Sequence, residues 1–162
     1  MTIRPHQRNP DARPDADRPT HLLDGPRVLS LKQPWAWAVA AGKKKVENRS
    51  WTTQYRGTVF IHASTKLDRA GLEWLRETMR LRVPEDLVHG AIVAVADLRD
   101  VVDIERAKRF GRWFFGPYGF VLSDVRPLSR PIQARGKLGL FRAESRLVRR
   151  VQSELRRSAQ SR

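Results

Sequence analysis

Three short runs concentrate the side chains that bind planar, charged ligands: Lys32-Gln33-Pro34-Trp35, Lys43-Lys44-Lys45-Val46-Glu47-Asn48-Arg49-Ser50-Trp51 and Tyr55-Arg56-Gly57. Tyr118 follows later, among Gly116, Pro117 and Gly119. Aromatic rings stack on the faces of nucleobases, amide, carboxylate and guanidinium groups read base edges, and cations hold the phosphates. On that chemistry Trp35 and Trp51 are stacking candidates, Gln33, Glu47 and Arg49 edge-reading candidates, and Lys32, Lys43, Lys44 and Arg56 phosphate contacts. Tyr118 either caps a cleft or marks a tight turn. Plainer readings stand beside these. Trp37, in an Ala-rich run, reads as core, Glu47 with Arg49 also reads as a structural ion pair, and Lys43 to Lys45 also reads as a solvated helix end. His62 lies in an apolar run and reads as a hydrogen-bonded core or rim histidine, not a general base.

Other chemistries are poorly provided for. The chain has no Cys and only four His, which removes disulfides and thiolate sites and gives no expectation of a metal site. No phosphate-binding glycine loop follows a strand, so no nucleotide cofactor is expected. No apolar run reaches the roughly 18 residues of a membrane span, and the N-terminus lacks the apolar core of a secretory signal; the expectation is a cytoplasmic protein with no membrane partner.

Lys and Arg total 32 against 17 acidic residues, a net charge of +15. Residues 1–26 are neutral overall, residues 27–141 carry +10 and residues 142–162 carry +5. The excess therefore sits mainly where a fold is expected, which points to a polyanionic partner.

The elements that must position these residues follow from pattern. With 162 residues, one core with tails is expected. Residues 1–26 hold five of the ten prolines and read as disordered or irregular. Arg27 to Leu31 reads as a buried strand and Pro34 to Ala41 as a helix stopped at Gly42. Lys45 to Trp51 alternates with neither face plainly apolar, Tyr55 to Gly57 reads as a turn, and Thr58 to Ser64 as a strand apolar on both faces. Leu72, Leu75 and Met79 predict a helix over Asp68 to Leu81. Gly90 to Val102 is a second strong strand, and Asp103 to Arg112 a loop or short helix. Tyr118 to Ser123 and Lys137 to Phe141 read as strands separated by Pro127 and Pro131, and residue 143 onward as a basic helix or tail. Short strands with interrupting helices imply an α+β domain built on a small, strongly curved sheet or barrel.

Taken together, Ser30-Leu31-Lys32-Gln33-Pro34-Trp35-Ala36, Gly42 to Trp51, Tyr55-Arg56-Gly57, Ile61-His62-Ala63-Ser64, Gly116 to Leu122 and Lys137 to Phe141 closely resemble the ASCH domain family of the PUA-like superfamily. The resemblance spans about residues 27–142. It implies a PUA-like β-barrel of five or six strands with flanking helices, and a cleft beside the Lys-Gln-Pro-Trp segment and the Glu-x-Arg strand. It also implies RNA or a modified nucleobase as the ligand. Some relatives are amidohydrolases acting on an acetylated cytidine through a Gly-Lys-Lys-Thr-x-Thr-x-Arg motif. Laid on this chain, that motif puts its lysine on Lys44, its arginine on Arg49 and its nucleophilic threonine on Glu47. A carboxylate cannot make the hydroxyl's attack unless Thr52, Thr53 or another hydroxyl substitutes. Binding without turnover is therefore the preferred reading. The alternative is a hydrolase of a modified nucleoside or of RNA, with Lys44 and Glu47 as acid and base. For RNA cleavage, His62, His89 and the lysines are the only candidates, and no spacing joins them. A third reading makes the Arg-rich terminal helix a dock for an acidic protein surface.

Overall fold

The computed structural model describes residues 25–160. The expected irregular segment 1–26 lies almost wholly outside the described residues. Among the described residues, six strands form one mixed sheet: β1 (Arg27–Gln33), β2 (Val46–Arg49), β3 (Gly57–Leu67), β4 (Ala91–Val102), β5 (Tyr118–Gln133) and β6 (Leu140–Arg142). Three helices accompany them: α1 (Trp35–Ala40), α2 (Arg69–Glu77) and α3 (Ser145–Gln160), with a 3-10 segment over Arg106–Trp113. The strand order is β2-β5-β4-β3-β1-β6. β1 and β3 run parallel and every other pair is antiparallel.

Alternation divides the core between the two faces of the sheet. Leu29, Leu31, Val59, Ile61, Ala94, Ala96, Leu98, Phe120 and Leu122 pack with Ala36 and Val39 of α1. The intervening Val28, Phe60 and Val95, with Ile92, Leu128 and Ile132, pack beneath α3 through Val151, Leu147, Val148 and Leu155. Both faces of the central strands are covered, which is why they read as continuous apolar runs.

Four sequence expectations are corrected. The sheet is not closed into a barrel: its edge strands β2 and β6 pair only with β5 and β1, and they are short. Pro127 and Pro131 do not separate strands but lie within β5. β2 covers β5 only over Tyr118–Val121, so both prolines occupy a stretch that only β4 borders, and register shifts in the β4–β5 ladder accommodate them. The helix expected to Leu81 ends at Glu77. The N–H groups of Thr78 and Met79 both bond Trp74 O, and Arg80 takes a left-handed conformation with φ 54°. The strand expected over Lys137 to Phe141 is confined to Leu140–Arg142, and the residues before it form a loop.

Candidate functional site

Two turns around α1 build the site. Pro34 offers no side-chain cap, so Gln33 Oε1 accepts from Trp37 N at 2.9 Å and supplies the first turn with the acceptor it lacks. Gln33 Nε2 also donates to Val88 O at 2.7 Å. At the other end Gly42 turns the chain in a left-handed conformation, φ 70°, where the Cβ of another residue would be strained. Lys43 and Lys44 both donate their backbone N–H to Ala38 O, which folds Lys44 back under the helix. Lys44 is 1% exposed.

Its ammonium donates to Glu47 Oε2 at 2.8 Å and to Val46 O, and lies 5.7 Å from the Trp35 ring centroid. The other oxygen of Glu47 faces Arg49 Nη2 at 3.4 Å, and Arg49 also donates to Ser30 O at 2.8 Å. One carboxylate thus stands between two cations, as a buried charge requires. Trp35 Nε1 donates to Asp68 Oδ2 at 2.9 Å, and the other Asp68 oxygen caps α2 by accepting from Gly71 N at 2.9 Å. The Gly71 bond holds the Asp68 carboxyl below its ordinary pKa; burial, the next largest influence, opposes it, and the Trp35 bond and the charge of Lys32 add smaller downward contributions. The indole lies so close to α2 that a Cβ on Gly71 would meet Trp35 Cζ2 at 2.5 Å.

These groups line one cavity of about 1110 Å³, open to solvent. Lys32, Trp35, Lys44, Glu47 and Arg49 of the sequence candidates meet there. Gln33, Lys43, Trp51, Arg56 and Tyr118 do not line it. Gln33 is buried with its amide engaged as above, and Lys43 is exposed beyond α1. Trp51 packs edge-on against Phe120, with centroids 5.0 Å apart. Arg56 donates to Thr53 O and Tyr55 O and faces Asp100 at 3.6 Å. Tyr118 sits opposite Arg49 in the β2–β5 ladder. Thr52 and Thr53 are also outside the lining.

Residues that sequence reasoning passed over complete the walls. Asn48 donates to Trp113 O at 2.9 Å and accepts from Phe115 N at 2.8 Å, fixing Phe115 at the cavity edge, where it is 56% exposed. The loop between β5 and β6 contributes Arg135, Gly136, Lys137 and Leu138, and Leu138 is fully exposed. A lone leucine between glycines in a basic loop was the available signal. His62, 2% exposed, lies under this loop. Ala134 O can only accept, so His62 Nε2 donates to it at 2.9 Å, leaving Nδ1 to accept from the Ser30 hydroxyl at 2.9 Å. Burial holds the imidazole below its ordinary pKa of 6.5, partly opposed by the Ala134 bond. The lining includes six cationic side chains, Lys32, Lys44, Arg49, Lys66, Arg135 and Lys137, against the carboxylates of Glu47 and Asp68. The cavity is therefore biased toward an anionic ligand, with apolar surface from Trp35, Phe115 and Leu138.

The family model described as the ASCH domain matches residues 29–129, more than half of the chain. The chain belongs to the ASCH domain family. Its fold is that of the solved ASCH protein from Zymomonas mobilis, at TM-score 0.56 and 19% identity, with 80% of this chain and 95% of that one covered. Activating signal cointegrator 1 of Homo sapiens is 27% identical over 136 residues, covering 77% of this chain and 23% of that protein. The Mus musculus protein of the same name is 37% identical over 85 residues, covering 48% and 15%. The chain thus spans less than a quarter of the length of these relatives. Among the described residues of this ASCH domain, no helix is long and apolar enough to cross a membrane.

Proposed function

We propose that this ASCH domain binds nucleic acid, RNA in preference to DNA, by receiving a base or modified nucleotide in the cavity between α1, β2 and the β5–β6 loop. The observation that carries the reading is the convergence of Trp35, Lys44, Glu47 and Arg49 on one open, cation-rich cavity. Its volume of about 1110 Å³ is just above the ~300–1,000 Å³ usual for small-molecule pockets, which suits a base together with its sugar and phosphate. Trp35, Phe115 and Leu138 offer surface to the base, Glu47 and Arg49 face its edge, and Lys32, Lys66, Arg135 and Lys137 surround the phosphates. A base entering such a slot must be unpaired, the form in which proteins read RNA sequence. Turnover is not part of this reading: Glu47 stands where the amidohydrolase motif has its nucleophilic threonine, neither Thr52 nor Thr53 lines the cavity, and the hydroxyls that do, of Ser30, Ser64 and Thr65, lie outside that motif.

The test is fluorescence anisotropy with single-stranded RNA and matched DNA across a salt series, using wild type and Arg49→Ala. Binding that weakens linearly in log–log form as salt rises, favours RNA and drops roughly tenfold or more with Arg49→Ala supports the reading. A flat salt response, or a substitution without effect, refutes it.

A further inference from the structure

The helix α3 lies beyond the residues matched to the ASCH domain, and it carries an exposed stripe rich in arginine. Leu147, Val148, Val151 and Leu155 face the sheet. Arg146, Arg149, Arg150, Ser153 and Arg157 recur at i, i+3, i+4, i+7 and i+11, the spacing of one opposite, exposed face. Its lone acid, Glu154, is 5% exposed and turned inward, accepting from Arg130 N at 3.1 Å and from Arg157 at 3.1 Å. Like charges three and four residues apart destabilise a helix, and the first turn carries no acid to favour its positive end. The stripe therefore has a cost in the free protein that an anionic partner would relieve.

A groove joins this stripe to β5, its charged lining being Arg130, Arg149, Arg150 and Arg157 against the single carboxylate of Glu154. The groove and the cavity share no lining residue but adjoin at Gln133: Arg150 of the groove donates to Gln133 O at 3.2 Å, and Gln133 with Arg135 and Lys137 lines the cavity. We propose that the groove between α3 and β5 holds the phosphate backbone of the nucleic-acid strand whose base enters the cavity. The ligand class is thereby a single-stranded oligonucleotide rather than a free nucleoside. The proposal rests on the cavity reading and adds a second contact to it. A strand fits better than an acidic protein face, because the groove's arginines adjoin the cation-rich base slot at Gln133, whereas a protein dock has no need of that neighbour.

Arg130→Ala/Arg149→Ala removes two exposed guanidinium groups without touching the core, and Arg130→Lys/Arg149→Lys keeps the charges. Both are measured against a nucleoside 5′-monophosphate and a single-stranded RNA of about twelve nucleotides, a length within the usual range of single-strand sites. The expected result is weaker oligonucleotide binding, with a log K against log salt slope shallower by about 1.4, two contacts at ~0.7 each. Mononucleotide binding is unchanged, and the lysine pair restores most of the slope. An unchanged slope with the alanine pair, while Arg49→Ala still weakens binding, overturns this inference alone. No RNA binding by wild type overturns it together with the cavity reading. Loss of binding to phosphatidylserine vesicles or to an acidic peptide, with RNA binding intact, reassigns the stripe to that partner and overturns it as well.

Discussion

Replacing Glu47 by alanine leaves two cations facing each other across a space that held their shared counter-ion. Lys44 Nζ lies 2.8 Å from one Glu47 oxygen and Arg49 Nη2 lies 3.4 Å from the other. Lys44 is 1% exposed, so water cannot readily replace the carboxylate, and the ammonium keeps only Val46 O and the face of Trp35. Breaking a buried pair by removing one member costs roughly 3–5 kcal/mol, most of it from the charge left behind. With a urea m-value of about 2 kcal/mol/M, the unfolding midpoint should fall by roughly 1.5–2.5 M. Lys44→Met instead removes the most deeply buried charge and leaves Glu47 facing Arg49, so its cost should stay below about 2 kcal/mol. The double variant Lys44→Met/Glu47→Ala should be more stable than Glu47→Ala alone by about 1–3 kcal/mol, since no buried ammonium is then uncompensated. Urea unfolding followed by tryptophan fluorescence reads all three. A midpoint shift under about 0.5 M for Glu47→Ala, or a double variant no more stable than that single, would refute the electrostatic reasoning.

Two further expectations concern the β5–β6 loop. The imidazole of His62 has a lowered folded pKa, so the unfolded chain takes up its proton first; stability is full above about pH 6.5 and declines as pH falls from there toward the folded value. His62→Gln should flatten that part of the stability profile, and an unaltered profile would show that His62 does not produce it. A Cβ on Gly136 would stand 2.6 Å from both His62 Cε1 and Ser30 Oγ. Gly136→Ala should therefore cost about 1–3 kcal/mol or push Arg135 and Lys137 out of place. Unchanged thermal stability together with unchanged RNA affinity would show that the loop does not pack there.

The sequence by itself determined much of the architecture. Apolar runs on both faces of β3 and β4 could only be strands covered twice, Pro34 and Gly42 bounded α1, and the motifs around Lys32 to Trp51 pointed to the family. The site was legible only in part, because residue type says which groups can bind a base but not which way they face. Gln33 and Arg49 look equally suited on paper, yet a helix end without its own cap draws the amide of Gln33 inward, while Arg49 is left at the cavity wall. Lys44 reads as one of three solvated lysines until the turn at Gly42 buries it against Glu47. Phe115, Asp68, Arg135 and Leu138 lie well outside the Lys32 to Trp51 segment in the chain and reach the cavity only through long-range contacts: Asn48 fixing Phe115, Asp68 bonding Trp35, and the loop resting on His62. Local pattern fixes which segments become strands and helices, since that depends on neighbours a few residues away. Which side chains share a cavity depends on pairings tens of residues apart, and only the folded sheet sets those.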